Sequence, residues 1–314
     1  MVFYYFMIYC IYICLFIIMF ISLLYCFANL NIEIISPCSG SNDLSLWNKV
    51  EKLVGKKCDN KNIKSSNEQV FEDANKKFIV LDKQLKSNTN ILWSFRGGYG
   101  IDKIMPFIVK NDYSKVKSKI IVGYSDLTAL QIYFSQKYNW KSISGCMLKD
   151  YFDDNKDNKS KEAIYSYLSN KILYLKLSKL KALNNAAKNI TIIKGITTGG
   201  NSTSIQNGIG TDWQIDTNNK ILFLEDVNVN GYQLDRILNH FNNAGLFNKV
   251  KAIIFGNFGN NQQNMKVLQH FANNINVPVF QTNEFGHQKE NLPIGINFNG
   301  IIKKTGEYYS ITMN

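Results

Sequence analysis

Ser125, Glu225 and His287 are the side chains of this sequence best placed to do chemistry together. Ser125 follows the run Ile120, Ile121, Val122 and Gly123, which reads as a strand buried on both faces. It precedes a helical pattern in which Leu127, Leu130, Ile132, Tyr133 and Phe134 cover one broad side. A hydroxyl in such a strand-to-helix turn faces unpaired N–H groups and the positive end of the helix dipole. It can attack a carbonyl while nearby amides receive the charge that develops on oxygen. Two readings of the turn stand side by side. Ser125 or Asp126 is a helix cap, or Ser125 is a nucleophile at an elbow. The second glycine of the usual G-x-S-x-G elbow is missing, because Leu127 occupies that place.

A serine nucleophile needs a base, and the chain has only three histidines. His240 lies late in a helical pattern over 232–243, and His270 lies inside another over 266–272; both read as structural or exposed. His287 stands beside Gly286 in a loop that runs to Pro293 and Gly295, the kind of irregular segment that carries catalytic groups. A base histidine in turn needs a group to fix its tautomer and stabilise its cation. Glu225 directly follows the apolar strand 221–224, with Asp226 beside it. Glu225 fits that role and Asp226 fits a cap. The order Ser125, Glu225, His287 would then be a triad spread over two units.

Arg96, Gly97, Gly98, Tyr99 and Gly100 form a second feature. The turn lacks G-x-G-x-x-G spacing and the chain has no Walker motif, which argues against a nucleotide loop. The turn is a bare glycine-rich bend, or Gly97 and Gly98 bring backbone amides near a reacting carbonyl, with the Asp126 amide as the other half of an oxyanion hole. Arg96 would hold a substrate carboxylate in a fork or brace the turn. Arg236 falls on a helix and reads as an ion-pair residue.

Positioning these groups requires strands that end where they stand. Strands at 32–36, 91–95 and 120–122 alternate with helices over 43–54, 70–85 and 101–107, the pattern of an open parallel sheet. Ligands of such sheets bind at the C-terminal strand ends, where the glycine turn and Ser125 both lie. The polar stretch 150–161 reads as loop, and the lysine- and asparagine-rich 176–189 as a linker. A second unit follows over 190–314, with strands at 190–194, 221–224, 252–255, 277–281, 294–299 and 308–312 and helices over 232–243 and 263–274. The first unit spans 29–175. No internal repeat is evident.

The formal charge is +12, from 36 basic and 24 acidic residues. Only Arg96 and Arg236 are arginines, and the lysines are scattered, so the charge reflects compositional bias and not a nucleic-acid surface. Residues 1–28 read as a signal peptide or membrane anchor: residues 1–30 carry no charged side chain and are long enough to cross a bilayer. Cys26, Phe27 and Ala28 resemble a cleavage site before Asn29. A start at Met19 would shorten the segment and leave the protein cytoplasmic. Export would place it in the periplasm or on the inner membrane facing it. Cys38 and Cys58 form a candidate disulfide, and no cysteine spacing suggests zinc.

Taken together, Arg96 to Gly100, Gly123 to Asp126, Gly199 to Asn201, Leu224 to Val227 with Asp235 and Arg236 behind, and Gly286 and His287 followed by Asn291 to Gly295 resemble the signature set of the LD-carboxypeptidases. These are serine peptidases typified by muramoyltetrapeptide carboxypeptidase, and the resemblance covers about residues 31–310. It implies Ser125 as nucleophile, Glu225 and His287 as relay, and an oxyanion hole from the amides of Gly97, Gly98 and Asp126. It implies no metal or cofactor. Arg96, Tyr99 and Asn201 are candidate substrate contacts. The implied fold is α/β, a flavodoxin-like (class I glutamine amidotransferase-like) parallel-sheet domain followed by a swivelling β/α domain, often dimeric. The implied partners are peptidoglycan muropeptides, the tetrapeptide stem losing its terminal D-alanine. Two departures stand out. Asn201 is followed by Ser202, Thr203 and Ser204 where relatives are more apolar, and the N-terminal apolar segment lies outside the family pattern. The family also contains immunity peptidases that cleave aminoacyl-nucleotide antibiotics with the same triad. A third reading, from another class, is a membrane-tethered peptidoglycan-binding protein without turnover.

Overall fold

Short β-branched and aromatic runs build the first sheet, whose strands end on one side of the molecule. The computed structural model describes Phe27 and residues 30–57, 73–259 and 261–314. In it β1 (Ile32–Ile35), β2 (Ile91–Ser94), β3 (Ile120–Gly123) and β4 (Lys141–Ser144) lie side by side in chain order, all parallel. A fifth strand, β10 (Ile294–Ile296), joins antiparallel to β4 from near the far end of the chain. The helices between the parallel strands are α1 (Leu44–Val54), α2 (Ala74–Leu85), α3 (Ile101–Val109) and α4 (Thr128–Tyr138). Asp43 caps α1 by accepting from the amides of Ser45 and Leu46, and Trp47, Val50, Leu53 and Val54 bury its inner face. The strand order departs from the flavodoxin-like expectation. That arrangement puts β1 inside the sheet, whereas here β1 is an edge and β10 closes the other side.

The remaining strands form a seven-stranded closed barrel in the order β11, β12, β5, β9, β8, β7, β6. Its parallel part comprises β6 (Ile192–Asn201), β7 (Lys220–Glu225), β8 (Ala252–Phe255) and β9 (Val279–Gln281). The barrel is closed by β5 (Leu175–Ala182), β11 (Asn299–Thr305) and β12 (Tyr308–Met313). Helices α5 (Asn158–Leu168), α6 (Asn185–Lys188), α7 (Ser202–Asn207), α8 (Gly231–Asn243) and α9 (Gln262–Asn273) complete the described chain. The 176–189 stretch is therefore not a linker: it supplies most of a barrel strand and the short helix α6. Within 150–161, a 3-10 turn over Leu148–Phe152 and the start of α5 leave only a brief connection.

The two sheets share one core. A single buried cluster runs from Ile32, Trp93, Val122 and Ile143 of the first sheet to Leu177, Phe223, Ile254, Phe280 and Ile311 of the barrel. Phe27, placed by the sequence in the leader, is fully buried in this cluster, and its ring lies 5.4 Å from those of Trp93 and Tyr165 and 5.3 Å from that of Tyr151. A second cluster packs α8 and α9 on the barrel, and a third packs α2, α3 and α4 on the first sheet. Among the described residues no helix is long and apolar enough to cross a membrane. The rest of the apolar run before Asn29, and Cys58, lie outside the described residues.

Candidate active site

The end of β3 delivers Ser125 in the left-handed region, at φ 66°. Such a conformation is uncommon for a residue with a Cβ, and it thrusts the hydroxyl out of the chain path. The cap reading does not describe this turn. A 3-10 turn over Ser125–Leu127 leads into α4, and neither element has a side-chain cap. The carboxylate of Asp126 instead reaches across to the amide of Ile101 at 3.0 Å, and so caps α3. The cap position of that helix is Gly100, which has no side chain to offer. Asp126 thereby ties the glycine turn to the elbow. Burial of its carboxyl raises its pKa to about 6; the Ile101 amide opposes this and the neighbouring Asp102 adds to it.

The glycine turn touches the serine directly. A Cβ on Gly97 would stand 3.2 Å from Ser125 Oγ and 3.0 Å from its Cβ, so only a glycine leaves the backbone this close without displacement. Gly98, at φ 131°, packs over Ser39. Arg96 donates from Nη1 to the carbonyl of Gly40 at 3.3 Å, the contact expected of a brace, while its Nε is buried without a partner. Tyr99 is 45% exposed under the ammonium of Lys103.

On the barrel side, β6 and β7 run parallel with Asn201 level with Glu225. The amide nitrogen of Asn201 donates to Glu225 Oε1 at 3.3 Å and to Asp226 Oδ1 at 3.0 Å, and its oxygen accepts from the Ser204 amide. Its side chain thus holds the two carboxylates. Asp226 also accepts from the amide and hydroxyl of Thr203 at 2.8 Å each, the cap role expected of it, although the helix it caps is α7. Glu225 is 2% exposed, and its Oε2 lies 2.6 Å from His287 Nδ1. Burial works against the charged form of His287, but the Glu225 charge and hydrogen bond outweigh it, so the imidazole pKa is raised above the ordinary 6.5. His287 Nε2 is left as the ring nitrogen for a reacting group.

The two halves meet at Thr128. Its hydroxyl donates to the carbonyl of Ser125 at 2.7 Å and accepts from the amide of Asn201 at 3.1 Å. Gly200 makes this possible, since a Cβ there would fall 2.7 Å from the Thr128 side chain. Next to the serine, the Tyr124 ring lies 4.8 Å from that of His287. Among the described residues no hydrogen bond joins Ser125 Oγ to His287, a contact that commonly tightens only when substrate is bound. His240 and His270 are exposed and pair with Gln206 and with Asn274. Arg236 lies over the Tyr232 ring, and not in an ion pair with a described residue. No cluster of three or more His, Cys, Asp or Glu side chains suited to a metal occurs among the described residues. Thr128 and the clamp made by Asn201 were not marked by sequence, because their partners lie 73 and 24 residues away.

Comparison with known proteins bears on this geometry. Residues 32–145 match the LD-carboxypeptidase N-terminal domain and residues 194–300 the LD-carboxypeptidase C-terminal domain. The chain belongs to the LD-carboxypeptidase family. A Rickettsia conorii protein that carries a provisional carboxypeptidase name is 39% identical over 290 residues, covering 89% of this chain and 90% of its own. The microcin C7 self-immunity protein of Escherichia coli is 26% identical over 237 residues, covering 64% and 67%. The crystal structure of muramoyltetrapeptide carboxypeptidase from Oxalobacter formigenes superposes with a TM-score of 0.73 at 20% identity, over 90% of this chain and 98% of that one. At that identity the likeness speaks for the fold. Membership in the family makes this LD-carboxypeptidase relative a peptidase.

Proposed function

We propose that this peptidase is a serine-type LD-carboxypeptidase that removes the terminal D-alanine from the tetrapeptide stem of peptidoglycan. The observation that carries the reading is the 2.6 Å pairing of His287 Nδ1 with buried Glu225, set beside an elbow that holds Ser125 at φ 66°. His287 Nε2 takes the Ser125 proton as the serine oxygen attacks the carbonyl carbon of the L,D bond. The amides of Asp126 and of the Gly97 and Gly98 turn receive the charge on the carbonyl oxygen. The imidazolium, stabilised by Glu225, passes its proton to the leaving D-alanine amine, and the peptide remains as an ester on Ser125. Water, deprotonated by the same histidine, then releases the shortened stem.

Similarity to the self-immunity protein supports a second reading, hydrolysis of an aminoacyl-nucleotide by the same groups. Export is proposed as well, on the strength of the uncharged apolar residues 1–30; the protein would meet muropeptides in the periplasm, and a homodimer is proposed with it. The deciding experiment gives one purified preparation both a tetrapeptide muropeptide and an aminoacyl-nucleotide, with products weighed by mass spectrometry. D-alanine release is expected to fall by about 10⁴-fold or more in Ser125→Ala, with the fold unchanged by circular dichroism. Retained release would remove the serine mechanism. Turnover of the nucleotide alone would move the protein to the immunity branch, and binding of muropeptide with no product from the native chain would make it a binding protein.

A further inference from the structure

The connection between the 3-10 turn and α5 clasps the loop that carries His287. Four contacts join them in register. Lys156 Nζ donates to the carbonyl of Gln288 at 2.8 Å, and the Asp157 amide donates to the carbonyl of Lys289 at 3.2 Å. Lys159 pairs with Glu290 at 2.6 Å, and the Asn291 amide donates to Ser160 Oγ at 2.8 Å. The clasp sets the Lys156 ammonium 5.6 Å from the centroid of the Tyr124 ring, whose other neighbour is the His287 ring at 4.8 Å. A lysine has three N–H donors. One is spent on Gln288, and Lys156 forms no ion pair with any described residue. The residue is only part-buried, and its remaining donors bond to no described residue. Its charge also reaches the imidazole, which it disfavours in the protonated form.

A carboxypeptidase must recognise a terminal carboxylate within a few bonds of the bond it cuts, on the leaving-group side of the histidine that protonates it. A cation fixed against the histidine's own loop and the tyrosine beside the nucleophile is a candidate for that role. Arg96, the alternative cation, is turned toward Gly40. We propose that Lys156 is a specificity-determining residue whose ammonium receives the free carboxylate of the terminal amino acid. This assignment rests on the carboxypeptidase reading. The bland account of the same contacts is that Lys156 is a strut for the Gln288 carbonyl, and the two accounts separate on the substrate's terminus.

The test uses the full chain with a tetrapeptide muropeptide ending in D-alanine and with the same peptide ending in D-alaninamide. Lys156→Met is expected to lower kcat/KM for the free acid by about 10- to 100-fold more than for the amide, with Lys156→Arg restoring much of that difference. Binding of both peptides to Ser125→Ala, with and without Lys156→Met, reads the same preference by calorimetry should the amide be too slow to follow. An equal loss on acid and amide, or no loss on either, overturns the carboxylate assignment while D-alanine release by the native chain keeps the carboxypeptidase reading. Absence of D-alanine release from the native chain overturns both.

Discussion

Glu225 sets two properties of His287, its tautomer and its pKa, and these make a prediction at the scale of single residues. Nδ1 must carry the proton that faces Oε2, which leaves Nε2 unprotonated and able to act as base. Because the Glu225 contact raises the imidazole pKa above 6.5, activity should rise with pH through a kinetic pKa above that value. Glu225→Gln removes the charge and its hydrogen-bond preference. The acid limb of kcat/KM should then move to lower pH, and the rate should fall by about 10⁴-fold, as for removal of the orienting carboxylate in other triads. A pH–rate profile that keeps its position would show that Glu225 does not act on this imidazole. The pairing of Glu225 with His287 was legible in the sequence because one sits at a strand end and the other in a glycine-rich loop, where side chains are free of packing duty. Lys156 was not. It stands in a charged stretch that looks like ordinary solvated loop, and its partner Gln288 is 132 residues away.

At the scale of elements, the site depends on one helix start being capped from another strand's turn. Gly100 leaves α3 uncapped by its own chain neighbour, and Asp126 supplies the carboxylate. The cost appears in its pKa, raised from 3.8 to about 6 chiefly by burial. A carboxyl whose folded pKa lies above its unfolded value contributes stability that is complete below about pH 3.8 and is lost as pH rises through about 6. Asp126→Asn keeps an acceptor for Ile101 without the charge. It should therefore gain on the native protein above pH 6, by at most about 3 kcal/mol, with the difference closing toward pH 4 in denaturant titrations. A constant offset across that range would refute the assignment. Element boundaries were least legible where composition disguised pattern. In β5, Leu175, Leu177 and Leu180 are buried while lysines between them face out, a half-buried strand with a shift of step at its bulge. The surrounding lysines and asparagines read as linker instead. The inner parallel strands β2 and β3 were easier, since strands covered on both faces read as nearly continuous apolar runs.

Over the whole molecule, the two units read from sequence share a strand pairing and a buried core. Strand β10 belongs in sequence to the second half but pairs with β4 of the first sheet, and the largest buried cluster crosses between the sheets. No local pattern announces such a strand, because three buried residues carry no record of which sheet receives them. The same cluster extends to Phe27, which sequence placed just ahead of a cleavage point. Its ring fills a space bounded by Trp93, Tyr151 and Tyr165 at centroid distances of 5.3 to 5.4 Å, with Trp93 in turn fixed by a hydrogen bond to the Cys146 carbonyl. Removing a fully buried phenylalanine typically costs about 3–5 kcal/mol, from lost transfer free energy and the cavity left behind. Phe27→Ala should therefore lower unfolding free energy by about that amount, and a chain beginning at Asn29 should lose at least as much. Because the cluster spans both sheets, the loss should appear in a single transition shared by Trp fluorescence and far-ultraviolet circular dichroism. If Phe27→Ala and the shortened chain both unfold at the native midpoint, the ring contributes nothing to the core and the folded body begins after it. Loss confined to the first of two resolved transitions would instead separate the first sheet from the barrel and remove the shared core that joins Ser125 to His287.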